Sequence, residues 1–159
     1  MFKEFASQSV GLRINFLFRL SMMHLRNEAK KIGIGSGDYT ILFMLYIQDG
    51  MSQDDLSKLM RVDKSYIART VANMEKKGMV IRKPDPHEHR IKRVYLGKNA
   101  REAEPAFFDL AKKWHENLIK DIPPDNLIVI LNGLDQMMKN AETALGLEDL
   151  TNELNRKSI

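Results

Sequence analysis

Along most of this chain, apolar residues recur at the three-to-four-residue spacing of helices, and two short strand-like runs interrupt them. The spacing predicts a first helix from about Ser7 to Lys31, ended by the glycine breaker Gly33-Ile34-Gly35-Ser36-Gly37. Eight of the twelve residues from Ile14 to Leu25 are apolar. A helix apolar on several faces at once needs more cover than one side of a small domain offers. A second helix is expected from Asp38 to Gln48. Ser52, with Asp55 three residues on, opens a third in capping-box fashion, with Leu56, Leu59 and Met60 on one face.

After the turn at Arg61-Val62, Asp63 stands as N-cap of a helix running to Lys77, with Gly78 as its stop. Ile67, Thr70, Val71 and Met74 form the inward stripe of that helix. Ser65, Arg69, Asn73 and Lys76 form the outward one, with Lys64, Tyr66 and Ala68 on its shoulders. The strand-like runs, Met79 to Lys83 and Ile91 to Leu96, enclose a segment whose Pro84 and Pro86 forbid a helix and suit a hairpin tip. A long helix from Asn99 to Lys120 is broken by Pro123-Pro124, and a last one, from about Asp125 to Leu145, is again more apolar than one face requires. Residues 148–159 read as a polar tail.

Charge sharpens this outline. Of the net +4, residues 58–101 carry thirteen Lys/Arg against four Asp/Glu, a net of +9, while the rest of the chain stands at −5. A positive middle between acidic flanks is suited to a polyanion. The chain has no cysteine, which excludes disulfides, thiolate metal sites and thiol catalysis. Its apolar runs, Leu127 to Leu131 among them, are too short to cross a bilayer, and its first residues lack a signal-peptide plan, so a cytoplasmic protein is expected. No carboxylate pair, Ser/His/Asp set or glycine-rich phosphate loop is visible, so no enzyme is expected. The histidines His24, His87, His89 and His115 lack ligand spacing, so neither metal nor cofactor is expected.

Two short helices about a tight turn, followed by a hairpin, describe a winged helix-turn-helix, and an exposed helix of this kind fits the major groove. Arg69 can pair with guanine, Asn73 with adenine, and Tyr66 or Ala68 can pack on a thymine methyl. Lys64 and Ser65 flank them, and the first-turn amides of the helix capped by Ser52 suit a backbone phosphate. On the wing, Lys83, Arg90, Lys92 and Arg93 stand beside this helix, with Arg90 placed to enter the minor groove.

The stretch from Val62 to Arg82, and the wing Asp85-Pro86-His87-Glu88-His89-Arg90 with Leu96-Gly97 beyond, resemble the multiple antibiotic resistance regulator (MarR) family, a likeness covering nearly the whole chain. Glu88 and His89 stand where the family usually has Asp and Arg, and Leu96-Gly97-Lys98 departs from its usual end to the second wing strand. Since histidine is largely neutral at pH 7, wing contact then rests on Arg90, with His89 adding pH sensitivity.

The resemblance implies a mainly α fold of about six helices with a two- to three-stranded wing. It also implies a homodimer through residues 1–34 and 99–147, and a DNA-binding domain at 35–98. The excess apolar surface of the terminal helices asks for that dimer independently. The implied function is a sequence-specific DNA-binding regulator, most often a repressor, acting on double-stranded DNA at a pseudo-palindrome. An effector crevice for phenolic or other lipophilic anions is implied as well, with Phe16, Met23, His24, Tyr39, Phe43 and Trp114 as candidates and core packing as their competing role. The rival readings are a protein-interaction module and a small-molecule carrier.

Overall fold

The structure, a computed structural model, describes residues 1–35 and 37–147. The polar tail expected at 148–159 lies outside the described residues. The chain runs α1 (Phe2–Gln8), α2 (Val10–Lys31), α3 (Asp38–Ile47), β1 (Met51–Ser52), α4 (Gln53–Met60), α5 (Lys64–Lys76), β2 (Val80–Pro84), β3 (Lys92–Leu96), α6 (Lys98–Ile119) and α7 (Pro124–Ala144).

Six of the helices follow the expected bounds to within a few residues, and the seventh is a correction. The expected opening helix begins earlier and is two helices, parted at Ser9. There the backbone turns extended (φ −70°, ψ 111°) and the Ser9 hydroxyl accepts the Leu12 N–H at 3.2 Å, capping α2. The hairpin gains a third strand: antiparallel β3 lies between β1 and β2, pairing Met51 with Val94 and Val80 with Leu96.

The core gathers the inward residues of α3, α4, α5 and the sheet. Ile41, Leu42, Leu45, Leu56, Ile67, Val71, Met74, Val80 and Val94 are fully buried there. Leu25 and Ala29 of α2 and Ala100, Phe107 and Leu110 of α6 close it from the other side. Tyr39 and Tyr46 of α3 pack on the Phe107 ring, and the Tyr46 hydroxyl donates to the Ala100 carbonyl at 2.6 Å. By contrast α1 and α7 bury no residue, and α2 buries two. Phe16, Phe18 and Leu20 on α2 and Ile128 to Leu131 on α7 remain exposed in the single chain. This is the unserved apolar surface the sequence pattern anticipates.

The C-terminal end of α5, the β2–β3 hairpin and α6 meet at one tight junction. Gly97 N–H donates to the Met79 carbonyl at 2.8 Å, Asn99 N–H to Gly78 at 3.2 Å, and the Asn99 amide to Lys77 at 2.7 Å. A Cβ on Gly97 would stand 2.3 Å from the Gly78 oxygen, so only glycine fits.

Candidate nucleic-acid interface

Helix α5 is set by its two stripes. Ile67, Val71 and Met74 are buried against the core, which leaves Ser65, Arg69, Asn73 and Lys76 exposed along the opposite side. Lys64, Tyr66 and Ala68 are exposed beside them. The turn that presents α5 is tight. Arg61 takes the left-handed conformation (φ 52°, ψ 45°), and the Ser57 hydroxyl donates to the Val62 carbonyl at 2.7 Å. Asp63 holds the N-cap position of α5 without a side-chain cap bond. Thr70, expected on the inward stripe, is half-buried and donates its hydroxyl to the Tyr66 carbonyl at 2.9 Å.

Ser52 does cap α4, in a complete capping box: its hydroxyl accepts the Asp55 N–H at 3.0 Å, and the Asp55 carboxylate accepts the Ser52 N–H at 3.4 Å. Ser52 is itself buried, and Asp54 and Asp55 fill the first turn of α4. That end of the helix therefore presents carboxylates where an outward phosphate anchor was expected, and like charge disfavours a phosphate there.

The wing is held by a buried carboxylate. Asp85 accepts from the Arg93 guanidinium, from His87 N–H at 2.8 Å and from Glu88 N–H at 3.0 Å. The Arg93 hydrogen bond, followed by the two amides, lowers the Asp85 carboxyl to about 2. Arg93 also donates to the Gly50 carbonyl at 2.9 Å, so it ties the wing to β1 instead of standing free beside α5. At the base of the wing, Glu75 takes Arg82 through Nε at 2.9 Å and through the backbone N–H at 3.1 Å, and the Arg82 bond holds its carboxyl below the ordinary value.

Pairing divides the basic middle in two. Lys64 meets Asp54, Lys77 the buried Asp38, and Arg101 Asp49, each at 2.7 Å. Arg82 and Arg93 are spoken for as described. Among the described residues, Lys58, Arg61, Arg69, Lys76, Lys83, Arg90 and Lys92 have no ion-pair partner. Lys83 lies 5.5 Å from the Tyr95 ring centroid. The uncommitted cations thus fall on α4, its turn, the outer stripe of α5 and the wing, while His89 and Arg90 lie exposed at the wing tip.

The six pocket candidates do not converge. Tyr39 is core, 4.6 Å from Phe107, and His24 stacks on Trp114 at 4.5 Å. Phe16 is exposed on α2, and Phe43 lines a groove against α6. Of the six, only Met23 borders a crevice of about 1020 Å³ between α2 and the lobe of α3 to α5. Asn15, Arg19, Met22 and Arg26 line it from α2, with Thr40, Met44, Met60 and Tyr66 opposite. The sequence does carry a signal for it: Asn15, Arg19 and Arg26 share one helix face with Met22, interrupting the apolar residues of Ile14 to Leu25 and continuing beyond them.

With this geometry in hand, the chain can be set beside known proteins. The MarR family pattern matches residues 35–92, the helix-turn-helix and most of the wing. The fold superimposes on a MarR transcriptional regulator from Methanosarcina mazei Go1 with a TM-score of 0.79 and 30% identity, over 85% of this chain and 97% of the other. The chain belongs to the MarR family. It is also 27% identical over 108 residues to the HTH-type transcriptional regulator YdgJ of Bacillus subtilis (strain 168), a match spanning 68% of this chain and 66% of YdgJ. A Listeria monocytogenes MarR family regulator solved with a 26mer DNA has the same fold at TM-score 0.78, over 89% of this chain and 97% of that one. At 16% identity that likeness speaks to fold alone. The relatives are transcriptional regulators and not enzymes, and this MarR-family chain is not read as one. Among its described residues, no helix is long and apolar enough to cross a membrane.

Proposed function

We propose that this MarR-family protein is a homodimeric, sequence-specific DNA-binding regulator that represses a promoter until a small lipophilic anion releases it. One observation carries the DNA reading. The stripe Ser65, Arg69, Asn73 and Lys76 is exposed on a helix whose opposite stripe is buried, beside a wing whose Lys83, Arg90 and Lys92 have no carboxylate partner among the described residues. Arg69 and Asn73 read base edges, with Tyr66 and Ala68 on thymine methyls. Lys64, Ser65, Lys83 and Lys92 hold phosphates, and His89 and Arg90 reach the minor groove. Ser52 acts on DNA only through the cap it gives α4.

The exposed apolar surface of α2 and α7 supports a dimer, whose two recognition helices meet successive major grooves about 10–10.5 bp apart. The dimer region is assigned to residues 1–34 and 99–147, the DNA-binding domain to 35–98, and the protein to the cytoplasm. The effector enters the α2 crevice, where Arg19 and Arg26 offer charge, and the methionines an adaptable apolar wall. Tyr66 borders both crevice and DNA-facing stripe, so an occupant bears directly on the recognition helix. It releases DNA only insofar as it favours the state that cannot bind.

Selection of bound duplexes from a random pool tests the proposal. A pseudo-palindrome bound at roughly 10⁻⁸–10⁻¹¹ M, with affinity falling steeply as salt rises, is expected. Equal binding to every duplex at matched salt refutes sequence-specific reading. Screening aromatic acids for release of the selected duplex tests the effector, and release that survives Arg19→Ala together with Arg26→Ala refutes the assigned crevice.

A further inference from the structure

The crevice between α2 and the lobe of α3 to α5 carries more charge than one small anion needs. Arg19 and Arg26 both stand in its lining, and among the described residues no Asp or Glu joins them there. Neither arginine has an ion-pair partner among the described residues.

We infer that this crevice takes an elongated dianion, with one acidic group at each end and an apolar middle. The inference rests on the effector reading above and names the ligand class of that same site. Spacing, the wall between the arginines and the balance of charge each point to it.

The spacing forbids a shared anion. Arg19 and Arg26 are seven residues, or about two turns, apart on one face of α2, so their backbones stand about 10.5 Å apart. Long side chains on a helix lean toward its N-terminus, so both guanidinium groups lean the same way and keep that interval. Arg19 is held in this direction, its Nε donating to the Asn15 side-chain oxygen at 2.8 Å, one turn further from Arg26. A single carboxylate is too small to meet both forks at once.

The wall between them is apolar. Met22 and Met23 lie between the arginines on α2, and Met44 and Met60 line the crevice as well. Thioether side chains of this kind adapt to a run of methylenes or a ring. The crevice volume, about 1020 Å³, leaves room for an extended molecule. Charge then decides between ligands of equal length. A dianion gives each arginine a carboxylate, a charge-assisted contact at both ends. A monoanion lays an uncharged end against one arginine and strips water from it without replacement.

Sebacate and decanoate test this, having chains of equal length with two carboxylates and one. At about pH 7.5 every carboxylate is ionised. Calorimetric titration of the full chain without DNA, at matched ionic strength, should show sebacate bound about tenfold more tightly than decanoate, although decanoate is the more lipophilic. Succinate, a dianion too short to reach both arginines, should also fall below sebacate. Arg19→Gln and Arg26→Gln change exposed helix positions to another good helix former, and each should bring sebacate down to the decanoate value. Decanoate bound as tightly as sebacate, or a sebacate preference that survives both single substitutions, overturns this inference alone. Wild-type protein that binds neither probe overturns the effector reading and this inference together.

Discussion

Replacing Gly97 by alanine probes the joint through which the DNA-facing lobe is mounted on α6. The backbone of Gly97 (φ −79°, ψ 174°) is ordinary extended chain, so alanine suffers no conformational strain. The cost is steric. The new methyl would sit 2.3 Å from the Gly78 carbonyl oxygen, 2.9 Å from the Met79 carbonyl carbon and 3.0 Å from that of Gly78, all of them backbone atoms that cannot swing aside. Forcing one extra carbon into a filled site costs about 1–3 kcal/mol. Relief by displacement strains the Gly97 to Met79 and Asn99 to Gly78 hydrogen bonds, each contributing about 1 kcal/mol net. The expected loss is therefore about 2–4 kcal/mol, or roughly 5–15 °C in Tm for a chain of this size. It is measured by thermal and urea unfolding at one fixed protein concentration, because the proposed dimer would make the transition concentration-dependent. Gly11→Ala is the control. It lies in helix α2 with nothing within 4 Å of a Cβ, and it should be neutral or gain up to about 1 kcal/mol. A Gly97→Ala protein within about 0.5 kcal/mol of wild type would refute the claim that this contact is rigid.

Further outcomes follow from the same geometry. Arg69→Ala should weaken binding to the selected duplex by about 1–3 kcal/mol and relax preference at one position per half-site, whereas uniform loss on all duplexes would reassign Arg69 to phosphate. In the folded protein the Asp85 carboxyl should titrate near 2 by carbon NMR, and a midpoint near 4 would contradict the Arg93 tie. Since that value is depressed, the stabilisation is complete above about pH 4 and is lost as pH falls from there through about 2. Tyr46→Phe should lose about 0.5–1.5 kcal/mol with the bond to Ala100, read by urea unfolding, and an unchanged midpoint would deny that bond a role. Burial pushes the Tyr46 phenol up to about 12, with Glu104 adding to the shift, so its contribution holds below about pH 10 and disappears as pH rises through about 12.

Helix α5 was legible in the chain because burial there obeys one local rule: Ile67, Val71 and Met74 share a buried face, and Arg69 and Asn73 lie exposed opposite them. The capping box at Ser52 and the hairpin around Pro84 and Pro86 are local in the same sense. What escaped the sequence depends on residues far apart in it. A charge count cannot tell that Lys77 is neutralised by Asp38, or that Arg93 turns inward to Gly50. The stack of Tyr39 on Phe107 withdraws an aromatic from any pocket, and no spacing along the chain announces it. The break at Ser9 was hidden because Ser7-Gln8-Ser9 carries no proline or glycine breaker, yet the Ser9 hydroxyl caps a new helix. The crevice beside α2 is likewise built from distant residues, Asn15, Arg19 and Arg26 facing Thr40, Met44 and Tyr66, a pairing that no spacing along the chain announces.

Arg93 fastens the wing to the strand that precedes α4, while β3 pairs with both β1 and β2. Hairpin and helix pair are thereby clamped like the jaws of a fixed caliper. If the protein grips DNA as proposed, the interval between its two grips is set in advance, and any misfit falls on the duplex. Operators with pliable pyrimidine–purine steps between the gripped segments should then outcompete stiff ones with identical gripped bases. Binding that ignores the composition of this untouched interval would mean that the caliper bends.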